Sequence, residues 1–186
     1  MSKVTWKPGT FIYPLPAVLA SCGTMERPNA LAIAWTGIVN SDPAMTYISV
    51  RPSRYSFDLI KESGEFVINL TTKELAYATD YMGVKSGRDM NKFEVLNLTP
   101  EQAPTVSCPM IKESPVNIEC KVTEILELGT HHMFLAEILS INVAEEYIDD
   151  SGKFHFDKCD PIAYSHGQYY TLGEHIGKFG FSVQKK

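Results

Sequence analysis

The chain has 186 residues, of which 44% are hydrophobic and 21% are charged, and its formal net charge is −5 at pH 7. This composition is typical of a globular protein, and a chain of this length most simply forms one domain over residues 1–186. The acidic balance argues against nucleic-acid binding, which needs a basic surface. No apolar run approaches the ~20 residues of a membrane span, and no secretory signal begins the chain, so we expect a cytoplasmic protein without membrane contact.

The spacing of cysteine and histidine gives little sign of metal or disulfide chemistry. The four cysteines form no C-x-x-C pair, and in a reducing compartment this favours buried thiols. They are Cys22, Cys108, Cys120 and Cys159. Residues of ligand type alternate at His155, Asp157 and Cys159, but the pattern has no second half elsewhere, so no metal site is predicted.

Two strands are predicted at residues 15–25 and 30–39, with a turn between them. Alternate positions divide the second strand into a small face and a bulky face. The small face holds Ala30, Ala32, Ala34 and Thr36, and the bulky face holds Leu31, Ile33 and Trp35. The bulky face requires a core. The small face fits either a flat ligand close to the backbone or a helix packed against it, and the pattern alone does not separate these interpretations.

The segment 45–70 predicts a strand, a tight turn, a helix and a second strand. Residues 46–50 alternate as a strand, and Pro52 ends its hydrogen-bond ladder because proline has no N–H to donate. Ser53 is the predicted N-cap of the following helix, and Gly64 is its predicted C-terminal stop.

The junction between this strand and this helix has the features of an anion site. A helix N-terminus offers unpaired N–H groups and a partial positive charge, while arginine and serine side chains add donors matched to phosphate oxygens. The polar side chains that converge there are Ser49, Arg51, Arg54 and Ser56. The alternative interpretation is a capped helix with two solvated arginines.

The remaining chain predicts more strands than helices. Thr71 and Glu74 fit a capping box that starts a short helix ending near residue 82. Residues 116–126 and 133–143 alternate as the two strands of a long hairpin. Many strands with few, short helices predict a mostly antiparallel barrel with a small helical decoration.

Five segments, in order from about residue 13 to residue 175, carry a family resemblance. They are Asn29 to Thr36 (NALAIAWT), Ile48 to Ser56 (ISVRPSRYS), Ser86 to Asp89 with Lys92 and Phe93, Gly129 to His131 before FLAEI, and Tyr169 to Gly173 (YYTLG). Each motif is weak alone, but five in register are fairly specific. On these motifs the chain resembles the flavin reductase-like FMN-binding split-barrel family, and within it most closely the flavoredoxin type.

The resemblance implies a mostly β fold, an antiparallel and Greek-key-like split β-barrel with a few short helices. It also implies a homodimer with one FMN per subunit near the interface. Carried over by position, the residues that would hold the phosphate and ribityl chain are Ser49, Arg51, Arg54 and Ser56. Backbone groups of Ala34, Trp35 and Thr36 would face the isoalloxazine ring, and Ser86, Gly87 and Arg88 would close over the flavin.

His131 is the catalytic candidate that the resemblance implies, near the flavin ring or its substrate side. The family often has Gly-Asp-His at this turn, where a carboxylate would fix the imidazole; this chain has Thr130 instead. An ordinary turn histidine is the alternative interpretation. The resemblance also implies that Tyr169 and Tyr170 pack on the flavin or across the dimer, and core packing of at least one of them is the alternative interpretation.

The implied function is transfer of electrons or hydride through bound FMN. Because FMN itself carries the redox chemistry, the absence of an obvious acid–base dyad is expected. NAD(P)H would reduce the flavin directly, as in flavin reductases, or the bound flavin would shuttle electrons between redox protein partners. The alternative from another class is a non-enzymatic split-barrel module that binds a different ligand or a partner protein.

Overall fold

The structure, a computed structural model, describes residues 1–183 and is mostly β with a few short helices. The strands are β1 (Leu15–Pro16), β2 (Val18–Gly23), β3 (Pro28–Ile33), β4 (Thr36–Ser41), β5 (Ala44–Val50), β6 (Glu65–Leu70), β7 (Pro100–Glu101), β8 (Met110–Ile111), β9 (Val116–Glu127), β10 (His132–Val143), β11 (Ile162–Ser165) and β12 (Gln168–Thr171). The α-helices are α1 (Tyr55–Ser63), α2 (Ala76–Val84) and α3 (Lys92–Val95), and 3-10 turns cover Glu145–Tyr147, Phe156–Cys159 and Phe181–Val183. The predicted fold class is confirmed.

Seven strands form one antiparallel sheet in the order β3-β2-β6-β9-β10-β5-β4. The two edge strands, β3 and β4, are consecutive in the chain and only Ala34 and Trp35 lie between them. Since consecutive Cα atoms are 3.8 Å apart, the two edges come within about 11 Å of each other there. The sheet therefore curls into a barrel, and the linker marks the seam at which its edges meet.

The predicted single strand over residues 30–39 is therefore wrong, because the chain bends at the seam. The N–H of Thr36 donates to the Ala34 carbonyl at 3.1 Å, a local turn that an extended strand does not allow. The Trp35 carbonyl accepts from the N–H of Ser49 at 2.9 Å, which ties the bend to the end of β5.

Both faces predicted for residues 30–36 have an identifiable partner. Leu31 and Ile33 are buried in the barrel interior, and Trp35 packs against the same cluster. On the small face, Ala30 is buried in a second cluster beneath the helices, and Ala32 packs against that cluster. The helix interpretation is therefore confirmed for these two alanines.

Helix α1 confirms its predicted end but not its predicted cap. Gly64 adopts a left-handed φ of 66°, and its N–H donates to the Ile60 carbonyl at 2.9 Å. At the other end Arg54, not Ser53, is the N-cap residue, and no side chain caps the helix. The first-turn N–H groups are thus without a side-chain partner beside the end of β5.

The predicted capping box of Thr71 and Glu74 is also wrong. Helix α2 begins after Leu75, again without a side-chain cap. The Thr71 hydroxyl instead donates to the carbonyl of Ala17, which lies between β1 and β2, and local spacing could not reveal this distant contact.

The long hairpin of β9 and β10 is confirmed and carries its turn to the seam. β10 pairs with β5 in a register that places His132 opposite Val50 and Met133 opposite Ser49. The turn residue His131 therefore lies beside the end of β5, where Arg51 follows.

Within residues 1–183 no helix is long and apolar enough to cross a membrane, and no three His, Cys, Asp or Glu side chains gather as a metal site. The four cysteines are free and buried, as predicted. Burial raises the pKa of Cys120 to about 12, so its thiol stays protonated at neutral pH.

A buried carboxylate fastens an irregular loop to the barrel. Glu119 in β9 is fully buried, and it accepts hydrogen bonds from the N–H and hydroxyl of Thr105, the N–H of Val106 and the amide of Asn142 at 2.5–3.0 Å. Burial alone would raise the pKa of this carboxyl, but these donors outweigh it and hold the pKa below its ordinary value.

Replacing this carboxylate should lower the free energy of unfolding. Glu119→Gln presents an amide NH₂ to one set of donors and leaves a buried pair unmade, at a cost of about 2–3 kcal/mol. Because the folded-state pKa is depressed, the stabilisation is present at neutral pH and is lost as the pH falls through that pKa. Urea unfolding at neutral and acid pH measures both effects, with exposed Glu124→Gln on the same strand as control. Equal stabilities of the two variants would contradict this account.

Candidate functional site

A cavity of about 390 Å³ opens at the seam of the barrel, within the size range of cofactor sites. Its walls come from the β3–β4 linker, the end of β5, helix α2, the turn of the β9–β10 hairpin and the β11–β12 hairpin. Six of the predicted site residues line it, namely Ala34, Trp35, Ser49, Arg51, Arg54 and His131.

One wall of the cavity is built from small groups. Ala32 and Ala34 from the small face meet Gly83 of α2 there. A Cβ added to Gly83 would lie 3.4 Å from the Cβ of Ala32, so helix and strand are already in close contact. Both interpretations of the small face, a packed helix and an approach for a flat ligand, therefore apply to different residues. A helix covers Ala30 and Ala32, and Ala34 lies on the cavity wall.

Cationic side chains dominate the electrostatics of the cavity. Arg51 and Arg54 line it together with the hydroxyl of Ser49, next to the uncapped N-terminus of α1. Among the described residues that line the wall, Asp80 is the only acidic one. A locally positive cavity in a chain of net charge −5 is the arrangement expected of a site that selects a small anion.

His131 is held in a defined orientation although Thr130 replaces the acid of the family pattern. Its Nε2 accepts a long hydrogen bond from Nε of Arg51 at 3.4 Å, so the ring proton is on Nδ1, which lies 3.0 Å from the Thr130 hydroxyl. Its ring is nearly parallel to that of Trp35, at 6° and 6.4 Å between centroids. Partial burial, then the charges of Arg51 and Arg54, lower the pKa of His131, so the imidazole is neutral at pH 7.

Two predicted site residues lie behind the cavity wall. The Thr36 hydroxyl donates to the Tyr47 carbonyl at 2.6 Å, across the β4–β5 pair. Ser56 is buried, and its hydroxyl accepts from the amide of Asn29 at 2.7 Å. Neither side chain lines the cavity, because each is turned into the protein by a hydrogen bond between distant segments.

The other three, Ser86, Gly87 and Arg88, form a loop that covers the strand–helix junction from outside. Arg88 donates to the Ser53 carbonyl at 3.0 Å, and its guanidinium lies 5.6 Å from the ring centroid of Tyr55. A Cβ on Gly87 would lie 2.1 Å from Oδ1 of Asn29, so only glycine fits there. The loop thereby adds a third arginine to the junction without lining the cavity.

Sequence reasoning missed a buried polar group behind the junction. Asn29 bridges Ser56 and the Cys22 thiol, and Lys92 is only 3% exposed. The Lys92 ammonium donates to two carbonyls at the end of α2, each at 3.3 Å, and burial lowers its pKa to about 8. The sequence offered two signals for this group. Asn29 is a polar residue near the start of an otherwise apolar strand, and Lys92 lies in one of the five family motifs.

Strands β1, β11 and β12 form a separate three-stranded sheet, and tyrosines from this sheet complete the cavity. Tyr164 and Tyr169 line the cavity, and their rings meet edge to face with 5.7 Å between centroids. Tyr170 points elsewhere and is exposed. Of the two tyrosines that the resemblance singled out, only Tyr169 therefore belongs to the cavity.

This fold is that of a known family. Residues 10–173 match the model of the flavin reductase like domain, and the chain belongs to the flavin reductase-like family. An uncharacterized protein of Archaeoglobus fulgidus is 36% identical over 139 residues, which cover 75% of this chain and 78% of that protein.

Solved structures give the same result. Flavoredoxin of Desulfovibrio vulgaris (Miyazaki F) superposes with a TM-score of 0.90 at 33% identity, covering 99% of this chain and 100% of that chain. Flavoredoxin from Methanosarcina acetivorans superposes with a TM-score of 0.89 at 31% identity, with the same coverage. The predicted resemblance to the flavoredoxin type of split barrel is confirmed.

Proposed function

We propose that the cavity binds FMN and that the protein transfers electrons or hydride through the bound flavin. The observation that carries the proposal is the presence of two unlike walls in one cavity. Ala32, Ala34 and Gly83 leave a wall without bulky side chains, which suits a planar ring, while Arg51 and Arg54 supply forked donors that suit a phosphate. FMN carries a planar ring and a phosphate in one molecule.

The roles of the chain's own residues follow from this fit. Arg51 and Arg54 bind the phosphate and balance its charge, and Ser49 adds a hydroxyl donor. The neutral His131 adds no charge, and its ring lies nearly parallel to that of Trp35 on the cavity wall. When bound, FMN supplies the hydride and single-electron chemistry.

Among flavin-dependent functions, the likeness to two flavoredoxins over nearly the whole chain favours an electron carrier with resident FMN. In this proposal the protein is a cytoplasmic homodimer with FMN near the interface, and a redox protein is its partner. A flavin reductase, with NAD(P)H as hydride donor and FMN as an exchanging substrate, is the function against which the carrier must be tested.

Steady-state oxidation of NADH and NADPH with excess free FMN separates these functions. A carrier should retain one FMN per chain through gel filtration and should oxidise either nucleotide slowly. Rapid turnover that scales with free FMN would contradict the carrier and establish a reductase. A protein that takes up no FMN would contradict both and favour a non-enzymatic binding module.

Removing the arginines should weaken FMN binding. Each charge-assisted contact with a phosphate contributes about 1.5–3 kcal/mol, so Arg51→Ala and Arg54→Ala should each raise the dissociation constant roughly ten- to hundredfold. Fluorescence titration with FMN measures the change. Riboflavin, which lacks the phosphate, should lose far less affinity. Arg27→Ala, in an exposed turn, is the control. Unchanged FMN affinity in a variant that carries both Arg51→Ala and Arg54→Ala would contradict the phosphate assignment.

Filling the small wall should exclude the flavin without unfolding the barrel. Ala34→Leu adds three carbons to the cavity wall at a residue outside the buried core, so we expect loss of FMN binding with little change in melting temperature. Ala44→Leu, at an exposed position beginning β5, is the matched control. Full FMN occupancy in the Ala34 variant would show that the ring does not lie on this wall.

A further inference from the structure

Asp80 places a negative charge without a cationic partner on the wall of the cavity. It belongs to helix α2, of which Thr79, Gly83 and Val84 also line the cavity. The Thr79 hydroxyl donates to the Leu75 carbonyl at 2.8 Å, so that side chain is already engaged within the helix. Among residues 1–183 no ion pair includes Asp80. Its charge is therefore available to whatever occupies the cavity.

Helix geometry places Asp80 beside the small wall. It precedes Gly83 by three residues and Val84 by four, so the three share one helix face, and about 5 Å along the axis separates Asp80 from Gly83. Gly83 is the residue that meets Ala32 on the small wall. Val84 is 69% exposed, so this end of α2 borders the mouth of the cavity. A ring on the small wall, and a molecule that enters to react with it, would both lie near Asp80.

The charge of Asp80 acts on the tyrosine side of the cavity rather than on the arginine side. Burial, then the charge of Asp80, raises the pKa of Tyr169, so this phenol is neutral at pH 7. The pKa of His131 is instead lowered by burial and by the charges of Arg51 and Arg54. The cavity thus has a positive side and a negative side. If the two arginines balance a phosphate, the charge of Asp80 remains uncompensated.

We propose that Asp80 lowers the reduction potential of the bound flavin and selects its electron acceptor. Reduction adds electrons to the ring, so a nearby negative charge destabilises the reduced form. The same charge at the mouth attracts cationic molecules and repels anionic ones. The inference rests on the FMN binding proposed above, and it assigns to that site cationic and neutral acceptors in preference to anionic ones.

Three substitutions isolate the charge. Asp80→Asn removes it but keeps the size of the side chain and an oxygen that can accept a hydrogen bond, so a purely structural contact with Tyr169 survives. Asp80→Glu keeps the charge. Glu62→Gln removes one charge at an exposed position of α1 outside the cavity, and is the matched control.

The reduction potential of bound FMN tests the first part of the proposal. It is followed by visible absorption during anaerobic titration with dithionite. Asp80→Asn should favour binding of reduced over oxidised FMN by about tenfold more than the unsubstituted chain does, a rise of about 30 mV for a two-electron couple. Asp80→Glu and Glu62→Gln should keep the original potential. Equal potentials in Asp80→Asn and Glu62→Gln would overturn this part.

Stopped-flow oxidation of the reduced protein tests the choice of acceptor. Ferricyanide is an anionic one-electron acceptor and hexaammineruthenium(III) is a cationic one. Each reduced flavin gives one electron to each of two acceptor molecules and releases its protons to water. The ratio of the ferricyanide to the hexaammineruthenium rate constant should rise about tenfold in Asp80→Asn, and the rise should shrink as salt screens the charge.

The ratio is informative because a raised potential slows both oxidations, whereas only the charge of the acceptor separates them. A ratio in Asp80→Asn equal to that in Glu62→Gln would overturn the selection of acceptors. If the unsubstituted chain retains no FMN, the proposed function fails and the inference about Asp80 fails with it. If FMN binds but neither the potential nor the ratio responds to Asp80→Asn, this inference alone is overturned.

Discussion

The two-residue linker of Ala34 and Trp35 is the constraint on which the structure depends. It joins opposite edges of a seven-stranded sheet, so the sheet must curl until those edges meet. The hydrogen bond from the Ser49 N–H to the Trp35 carbonyl fixes this closure at the end of β5. The cavity opens at the seam, with Ala34 on its wall and Arg51 two residues beyond Ser49. The contact that closes the barrel therefore also positions residues of the site.

The positive charges near the seam are distributed as expected for an anion site in the cavity. Arg51 and Arg54 are exposed at the seam, where solvent limits the cost of two neighbouring cations. Lys92, in contrast, is buried, and two carbonyls at the end of α2 offset the loss of its hydration. A dianionic phosphate at the seam would therefore meet positive charge from an exposed arginine pair, while the buried ammonium holds the adjoining backbone.

Sequence patterns predicted features governed by local periodicity. The alternation of β5, the long hairpin and the glycine stop of α1 follow from side-chain period and from backbone freedom at Gly64. The bend at Ala34, the side chain of Ser56 and the contact of Thr71 depend on hydrogen bonds with residues far along the chain, so local reasoning failed there. Six of eleven predicted site residues nevertheless reach the cavity, because they flank the seam.

The central claim is that the seam holds one flavin. Its most direct test is the visible absorption spectrum of the purified protein during titration with FMN. Binding against Trp35 and the small wall predicts a shifted, structured flavin band that saturates at one FMN per chain and survives gel filtration. A spectrum that stays that of free FMN at every ratio, with no flavin retained, would contradict the account.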